Sequence, residues 1–336
     1  MTEEPLFQKL ALVGMGLIGS SLARAARAHH AVERIAALDA SPSVLARVRE
    51  LRIADEADGD AAGALRDADL VILCTPVGAL GAVAREIAPY LQRGAILSDV
   101  GSVKGSVVAQ VAPHVPPGVR FVPAHPLAGT EFSGPDAGFA TLFHNRWCLL
   151  TPLAGEDEAV EALAEFWKRL GARVETMTTE HHDLALAITS HLPHLIAYNI
   201  VGTADHLEKV TESEVIKFSA SGFRDFTRIA ASDPTMWRDV FLHNKAAVLE
   251  MLARFNADLS ALQGLIERGD GDGLFDLFTR TRAIRRSVVE QGQDTAAPDF
   301  GRGALNEGGR PKSAISGDAP STSPMRAPRS RSDNPL

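Results

Sequence analysis

Lys9-Leu10-Ala11-Leu12-Val13-Gly14-Met15-Gly16-Leu17-Ile18-Gly19 decides how the first half of the chain is read. Lys9 to Val13 has the look of a short buried strand and ends directly in a G-x-G-x-x-G loop, after which Ser20 to His29 is helix-like. The loop pattern is weak alone, but between a strand and a helix it is a dinucleotide fingerprint. Each glycine has its own physical reason: Gly14 for the tight turn, Gly16 for close approach of the backbone to a pyrophosphate, Gly19 for close packing of helix on strand. Gly14, Gly16, Leu17, Ile18 and Gly19 are therefore candidate cofactor-binding residues, with the pyrophosphate at the helix N-terminus.

Working outward, the next strand, Arg34 to Leu38, ends at Asp39. A carboxylate there hydrogen-bonds the ribose hydroxyls of an adenosine and repels a 2′-phosphate, which favours NAD over NADP. The plain alternative is a turn that happens to contain an Asp. Ser41-Pro42 predicts an N-cap and first helical position for a helix through Leu51. Asp69 to Cys74 ends in Thr75-Pro76, two further cofactor candidates, and Ala95 to Asp99 ends in Val100-Gly101-Ser102-Val103-Lys104. Helices are expected over Gly78 to Tyr90 and Lys104 to Ala112. Such alternation predicts a parallel sheet with right-handed crossovers, whose ligands bind beyond the carboxyl ends of the strands. Trp147 to Thr151 and Arg173 to Thr176 add strands around a helix at Glu156 to Leu170, closing a Rossmann-like domain over 1–178.

At the carboxyl edge of that sheet lies His125-Pro126-Leu127-Ala128-Gly129-Thr130-Glu131, expected just past the strand Arg120 to Val122. Histidine is the side chain that exchanges a proton near neutral pH without a large pKa shift. Ser102 reaches the same edge; its plain alternative is the N-cap of the helix it precedes.

Beyond Thr179 the pattern is helix alone, an all-α domain over 179–297. Ser190-His191-Leu192-Pro193-His194 breaks a helical run, and its histidines are either buried and hydrogen-bonded or line a pocket. Phe218 to Ala230 combines Arg224 and Arg228 with aromatics around a Ser-Gly turn, and an arginine fork suits a carboxylate at a partly buried site. A surface pairing with Asp225 is the bland alternative. Phe241, Asn244, Val248, Met251, Phe255, Leu259, Leu262 and Ile266 predict one long helix, with Leu274 to Val289 as another. Their apolar face exceeds what a small lobe covers, which points to a homodimer.

Composition narrows the partners. The 336 residues carry a net charge of −8, and residues 1–297, with 28 Lys/Arg against 38 Asp/Glu, carry −10, which argues against nucleic acid and anionic membranes. Apolar runs fall short of the roughly 18 residues a spanning helix needs. Cys74 and Cys148 have no metal-ligand spacing and read as core residues of a reducing, cytoplasmic protein, with no metal expected. Residues 298–336 hold six prolines, six serines, five glycines and one aromatic, the composition of a disordered tail.

Taken together, HPLAGTE at 125–131, SHLPH at 190–194 and GFRDFTRIAASDPTMWRD at 222–239 resemble the prephenate dehydrogenase family, including its arogenate and cyclohexadienyl dehydrogenase members. The resemblance runs from about Lys9 to Gln291. It implies an NAD-dependent oxidoreductase with an active site in the cleft between a cofactor domain and an all-helical dimerisation domain. The reaction it implies is oxidative decarboxylation of prephenate to 4-hydroxyphenylpyruvate. His125 then matches the residue that takes the ring hydroxyl proton, and Ser102 the residue that orients it. Arg228 matches the residue that binds substrate carboxylate. His194, with Ser190 and His191, matches the pocket segment, and Thr130 and Glu131 match the pocket mouth. Arogenate as substrate, another two-domain NAD(P) dehydrogenase and a non-catalytic NAD sensor stay open as alternatives.

Overall fold

β1 (Phe7–Val13) is buried on both faces because it lies inside an all-parallel sheet. The structure is a computed structural model that describes residues 4–57, 59–130, 132–155, 157–208 and 220–288. Glu131, Phe218, Ser219 and the expected 298–336 tail lie outside the described residues. The strands β1, β2 (Val32–Leu38), β3 (Leu70–Leu73), β4 (Ile96–Asp99) and β5 (Arg120–Val122) take the order β2-β1-β3-β4-β5. Strand order reverses between β1 and β3, so a crevice opens where the glycine loop leaves β1.

The crossovers are α1 (Leu17–Ala28), α2 (Pro42–Leu51), α3 (Ala61–Leu65), α4 (Leu80–Ile87) and α5 (Gly105–Val111). Ser41 caps α2, accepting from the Val44 N–H, and Pro42 occupies the first turn. Ala11, Val13, Val71, Leu73 and Leu97, alternate residues of their strands, share one core with Leu80 and Ala84 of α4 and Val107 and Val111 of α5.

His125 follows the end of β5, as expected, but lies in a further strand that was not expected. Pro123 has no N–H to continue the ladder, so β5 stops at Val122 and the chain re-enters a second sheet as β6 (Ala124–Pro126). β6 pairs antiparallel with β7 (Trp147–Leu150), and β7 pairs parallel with β8 (Arg173–Thr176). The later strands thus form a separate three-stranded sheet, with α6 (Asp157–Arg169) between β7 and β8.

The helical half begins with α7 (Thr179–Leu186), capped by Thr178, whose side chain accepts from the His181 N–H. A π-turn (Ala187–His191) joins it to α8 (Leu192–Glu208), so the expected break at Ser190–His194 is absent. The Leu192 N–H reaches Ala187 O, and this widened turn delivers Pro193 to the start of α8, where its missing N–H costs least. The continuous helix Thr179–His206 is long and apolar enough to cross a membrane by length and composition, correcting the expectation that no stretch was. It also carries His182, Asp183, His191 and His194, all engaged with protein groups.

Next come α9 (Ser221–Thr227), α10 (Pro234–His243), α11 (Lys245–Glu267) and α12 (Gly271–Val288). The long helix predicted from Phe241 starts later, because Asn244 (φ −109°, ψ 30°) separates α10 from α11. Its amide is spent on partners outside the helix, donating to Asp183 O at 2.8 Å. α10 packs on the parallel sheet's own core through Trp237 and Val240, and a Cβ on Gly78 would meet Asp239 at 2.7 Å.

Candidate active site

The glycine loop separates into three environments. Gly14 has φ +99°, and a Cβ there would meet the Cys74 backbone at 2.9 Å. A Cβ on Gly19 would sit 2.0 Å from Gly14 O, so α1 rests directly on the loop. A Cβ on Gly16 would meet nothing within 4 Å, leaving open space over the start of α1, whose N-terminus has no side-chain cap. Leu17 and Ile18 open α1 over that space.

Asp39 stands at the end of β2. One carboxylate oxygen accepts the Met15 N–H at 2.8 Å and the other the Ser41 N–H at 2.9 Å, which ties the glycine loop to the second crossover. Each oxygen keeps a lone pair for a further donor. The Thr75 hydroxyl, beside half-exposed Pro76 at the end of β3, is buried without a hydrogen-bond partner. An open cradle at Gly16, an orphaned hydroxyl at Thr75 and a carboxylate at Asp39 together fit a dinucleotide.

Two strands along the sheet from the cradle, at the end of β4, lies a buried ion pair. Asp99 closes β4 and Lys104 precedes α5; both are 0% exposed, and Lys104 Nζ contacts Asp99 Oδ2 directly while donating to Ala124 O at 2.7 Å. Asp99 also accepts the Gly101 N–H at 2.7 Å and the Ala124 N–H at 3.3 Å. Burial lowers the Lys104 pKa, and the Asp99 carboxylate opposes that shift. The pair pins β6, and with it His125, to the end of the parallel sheet.

His125 is buried in β6 opposite Leu149. Its Nδ1 lies 2.9 Å from His182 Nε2, and His182 Nδ1 lies 2.8 Å from Asp183 Oδ1. Asp183 in turn accepts the Lys104 N–H at 2.7 Å and the Gly105 N–H at 2.8 Å. Asp183 therefore caps α5 from 79 residues away, which corrects the plain alternative of Ser102 as its N-cap. Desolvation, followed by the fields of His182, Lys104 and His191, holds the His125 pKa well below its usual value. Burial thus favours the uncharged imidazole, and no hydrogen bond reaches Nε2 among the described residues. Desolvation also lowers the His182 pKa, against the pull of Asp183. Burial works against ionisation of Asp183, but the His182 bond and the two backbone N–H groups outweigh it and its pKa falls.

Ser102 sits half-buried in the loop between Asp99 and Lys104, and its hydroxyl has no hydrogen bond to His125 among the described residues. The orienting contact comes from His182 instead. His191 is fully buried and its Nδ1 lies 3.1 Å from the Asn244 amide. Burial lowers its pKa to about 4; Nε2 meets no acceptor at hydrogen-bond geometry, although the Ser102 backbone lies close enough to raise its basicity. His194 donates or shares its Nδ1 proton with Ser190 O at 2.9 Å and stacks on Trp237 at 3.6 Å between ring centroids. Desolvation lowers its pKa, and Arg228, at the C-terminal end of α9, adds to that lowering, so these two predicted residues lie within each other's field. Thr130 accepts the Phe132 N–H at 3.2 Å on the loop beyond β6.

Two groups of predicted residues are thus brought together, Gly14–Gly19 with Asp39 and Thr75, and His194 with Arg228. His182, Asp183, Asp99, Lys104 and Asn244 were missed as contributors. A sequence signal existed for the first two, since Glu180-His181-His182-Asp183 is a polar quartet opening an otherwise apolar helix. A groove lined by Leu184, Ile188, Met251 and Arg254, between α7 and α11, lies away from this chemistry.

The chain matches the family model "Prephenate dehydrogenase, nucleotide-binding domain" over residues 22–176 and "Prephenate dehydrogenase, dimerization domain" over residues 178–280. The first match begins after the glycine loop, whose assignment therefore rests on its geometry. The chain is 44% identical to the cyclohexadienyl dehydrogenase of Zymomonas mobilis subsp. mobilis, covering 84% of this chain and 97% of the relative. It is 34% identical to the prephenate dehydrogenase of Bacillus subtilis, covering 86% and 78%. A solved structure of prephenate dehydrogenase from A. aeolicus, in complex with hydroxyphenyl propionate and NAD+, is 32% identical with a TM-score of 0.78, covering 84% of this chain and 98% of that one.

Proposed function

The chain belongs to the prephenate dehydrogenase family, and on that premise we propose that it catalyses the NAD-dependent oxidative decarboxylation of prephenate to 4-hydroxyphenylpyruvate, a step of tyrosine biosynthesis. The observation that carries the reading is a buried His125 whose Nδ1 is engaged by His182 and whose Nε2 takes no hydrogen bond among the described residues, beyond the carboxyl ends of the strands that carry the Gly16 cradle.

NAD, when bound, would supply the acceptor for the hydride of the carbinol carbon. Gly14 to Gly19, Thr75 and Pro76 would hold its pyrophosphate side, and Asp39 the adenosine ribose. His125 accepts the hydroxyl proton at Nε2 as the carbonyl forms. The bond to the ring carboxylate then breaks, carbon dioxide leaves, and its electron pair completes the aromatic ring, whose phenolate oxygen takes the proton back from His125 Nε2. Proton removal by a positioned base supplies about 10²–10⁴-fold. Arg228, with His194, Ser190 and His191 beside it, binds a substrate carboxylate, while Ser102 serves hydroxyl and nicotinamide and Thr130 borders the entrance. The division into a cofactor domain over 1–178 and a helical domain over 179–297 is supported by the change from β8 to α7 between Thr176 and Thr179.

The chain acts as a cytoplasmic homodimer in this reading. Ile266, Phe275, Phe278 and Ile284 on α11 and α12 are each more than half exposed, Phe275 at 70%, and a second copy would cover them. Sedimentation showing only a 35.8 kDa species would remove the dimer from the proposal. Dual use of arogenate is the second reading, favoured by the cyclohexadienyl dehydrogenase name of the 44%-identical relative. Steady-state rates with prephenate and arogenate, each with NAD and NADP, test both; no turnover of either would retire the function.

A further inference from the structure

We infer that His182 and Asp183 are positioning residues that fix the tautomer of His125, so that its Nε2 meets the substrate as a proton acceptor. The inference rests on the proposed reaction for its purpose, but its geometry stands independently.

The chain of contacts is fixed at its Asp183 end. Asp183 already accepts two backbone N–H groups, from Lys104 and Gly105, and a protonated carboxyl would have to face those donors. It is therefore an acceptor at Oδ1 as well, so the contact at 2.8 Å requires a proton on His182 Nδ1. A neutral His182 then presents a lone pair at Nε2. His125 Nδ1 lies 2.9 Å from that lone pair and must supply the proton between them. A neutral imidazole has one N–H, so His125 Nε2 is left as the acceptor. The reverse polarity would need either a proton on Asp183 or a cationic His182 in the field of Lys104, which disfavours it.

The same arrangement serves the charged form. When the substrate O–H bond breaks and a bond to Nε2 forms, the His125 imidazolium still donates through Nδ1 to His182, and the Asp183 carboxylate lies one ring further on. His182 and Asp183 thus hold the base in one orientation before the reaction and stabilise its charge after it. Neither sits in the sequence motifs that point to His125 and Arg228; they reach the site because α7 crosses the N-terminus of α5.

The test uses the full chain. In protein labelled with 15N-histidine, with His125→Asn assigning the signal, the ring of His125 should show a protonated Nδ1 and an unprotonated Nε2 at pH 7.5. A protonated Nε2 in the neutral ring would overturn the inference whatever the variants do. His182→Leu, which offers no acceptor, should lower kcat about 10–100-fold, less than the on the order of 10⁴-fold seen when a triad histidine is forced into the wrong tautomer by losing an ionised partner. Its KM for prephenate and its NAD affinity should change less than about threefold. His182→Gln, whose carbonyl can accept the Nδ1 proton, should recover most of that loss. A kcat unchanged in His182→Leu, or a loss not recovered in a folded His182→Gln, would also overturn it. If the leucine variant does not fold, the wild-type tautomer decides. If wild-type protein turns over neither prephenate nor arogenate, the function fails while the tautomer measurement still judges the relay.

Discussion

Replacing Lys104 by Met should destabilise the fold far more than the loss of one surface lysine would. Both Lys104 and Asp99 are 0% exposed, so removing the ammonium leaves a carboxylate buried without its counter-charge. The Met side chain keeps the apolar stem, which confines the change to the electrostatic loss. Asp99 retains the Gly101 and Ala124 N–H groups, while Ala124 O loses its 2.7 Å donor. Breaking a buried pair from one side costs about 3–5 kcal/mol, and the two remaining donors place this case at the lower end. At roughly 2–4 °C per kcal/mol for a domain of this size, the melting temperature should fall by at least about 6 °C. The double variant Asp99→Asn/Lys104→Met removes both charges and keeps one oxygen, enough to accept one of the two N–H groups. It should recover at least about 1 kcal/mol relative to Lys104→Met alone. Equilibrium urea unfolding of wild type, both single variants and the double variant measures the coupling. A Lys104→Met cost below about 1 kcal/mol, or additive losses in the double variant, would refute the view that charge pairing in a dry site holds β6 in place.

Gly19→Ala should not fold normally, because its Cβ would lie 2.0 Å from Gly14 O, whereas Gly16→Ala should keep the wild-type melting temperature and lose about tenfold or more in NAD affinity by calorimetry. Equal effects at the two positions would contradict the separate roles given to them. Asp39→Ala should relax the preference for NAD over NADP, measured as the ratio of kcat/KM values, and an unchanged ratio would remove Asp39 from the ribose site. The pKa of His125 is depressed in the fold, so the acid limb of kcat/KM should lie below pH 6.5. The depressed values of His125, His182 and His191 have the same sign for stability, which should be full above pH 6.5 and fall as the pH drops through the folded-state values. A limb above 6.5, or stability rising on acidification, would contradict the burial of these rings.

The features legible in the sequence were those whose cause is local. The glycine loop and the Ser41-Pro42 cap each depend on residues within a few positions and have the expected geometry, and Asp39 stands at the end of β2 where it was expected. His125 was legible as a residue type at a sheet edge, but not its strand, because only Pro123 signals that one ladder ends and another begins. The partner of His125 was hidden for a different reason. His182 is 57 residues away, on a helix whose periodicity describes packing and says nothing of which polar residue will meet which. Asn244 was read as one member of an apolar stripe, and its real role, ending α10 while bonding Asp183 O and His191, depends on the docking of three helices. Long-range polar closure of this kind has no short-range pattern.

Dryness around His125 and the charge of the proposed substrate bear on each other. A histidine held neutral by burial is available as a base at any pH above its depressed pKa, but the same depression makes it a weak acceptor. Prephenate carries two carboxylates. Negative charge brought within about 4–6 Å favours a cationic imidazole and raises its pKa by roughly one to three units. The base therefore gains strength when the substrate arrives, in a site where the low dielectric magnifies that gain. Lys104 cannot supply the opposite effect in full, because its charge is already matched by Asp99. The buried pair thus does more than pin β6: Asp99 moderates the field by which Lys104 lowers the His125 pKa, and the substrate's own charge acts against what remains of that lowering.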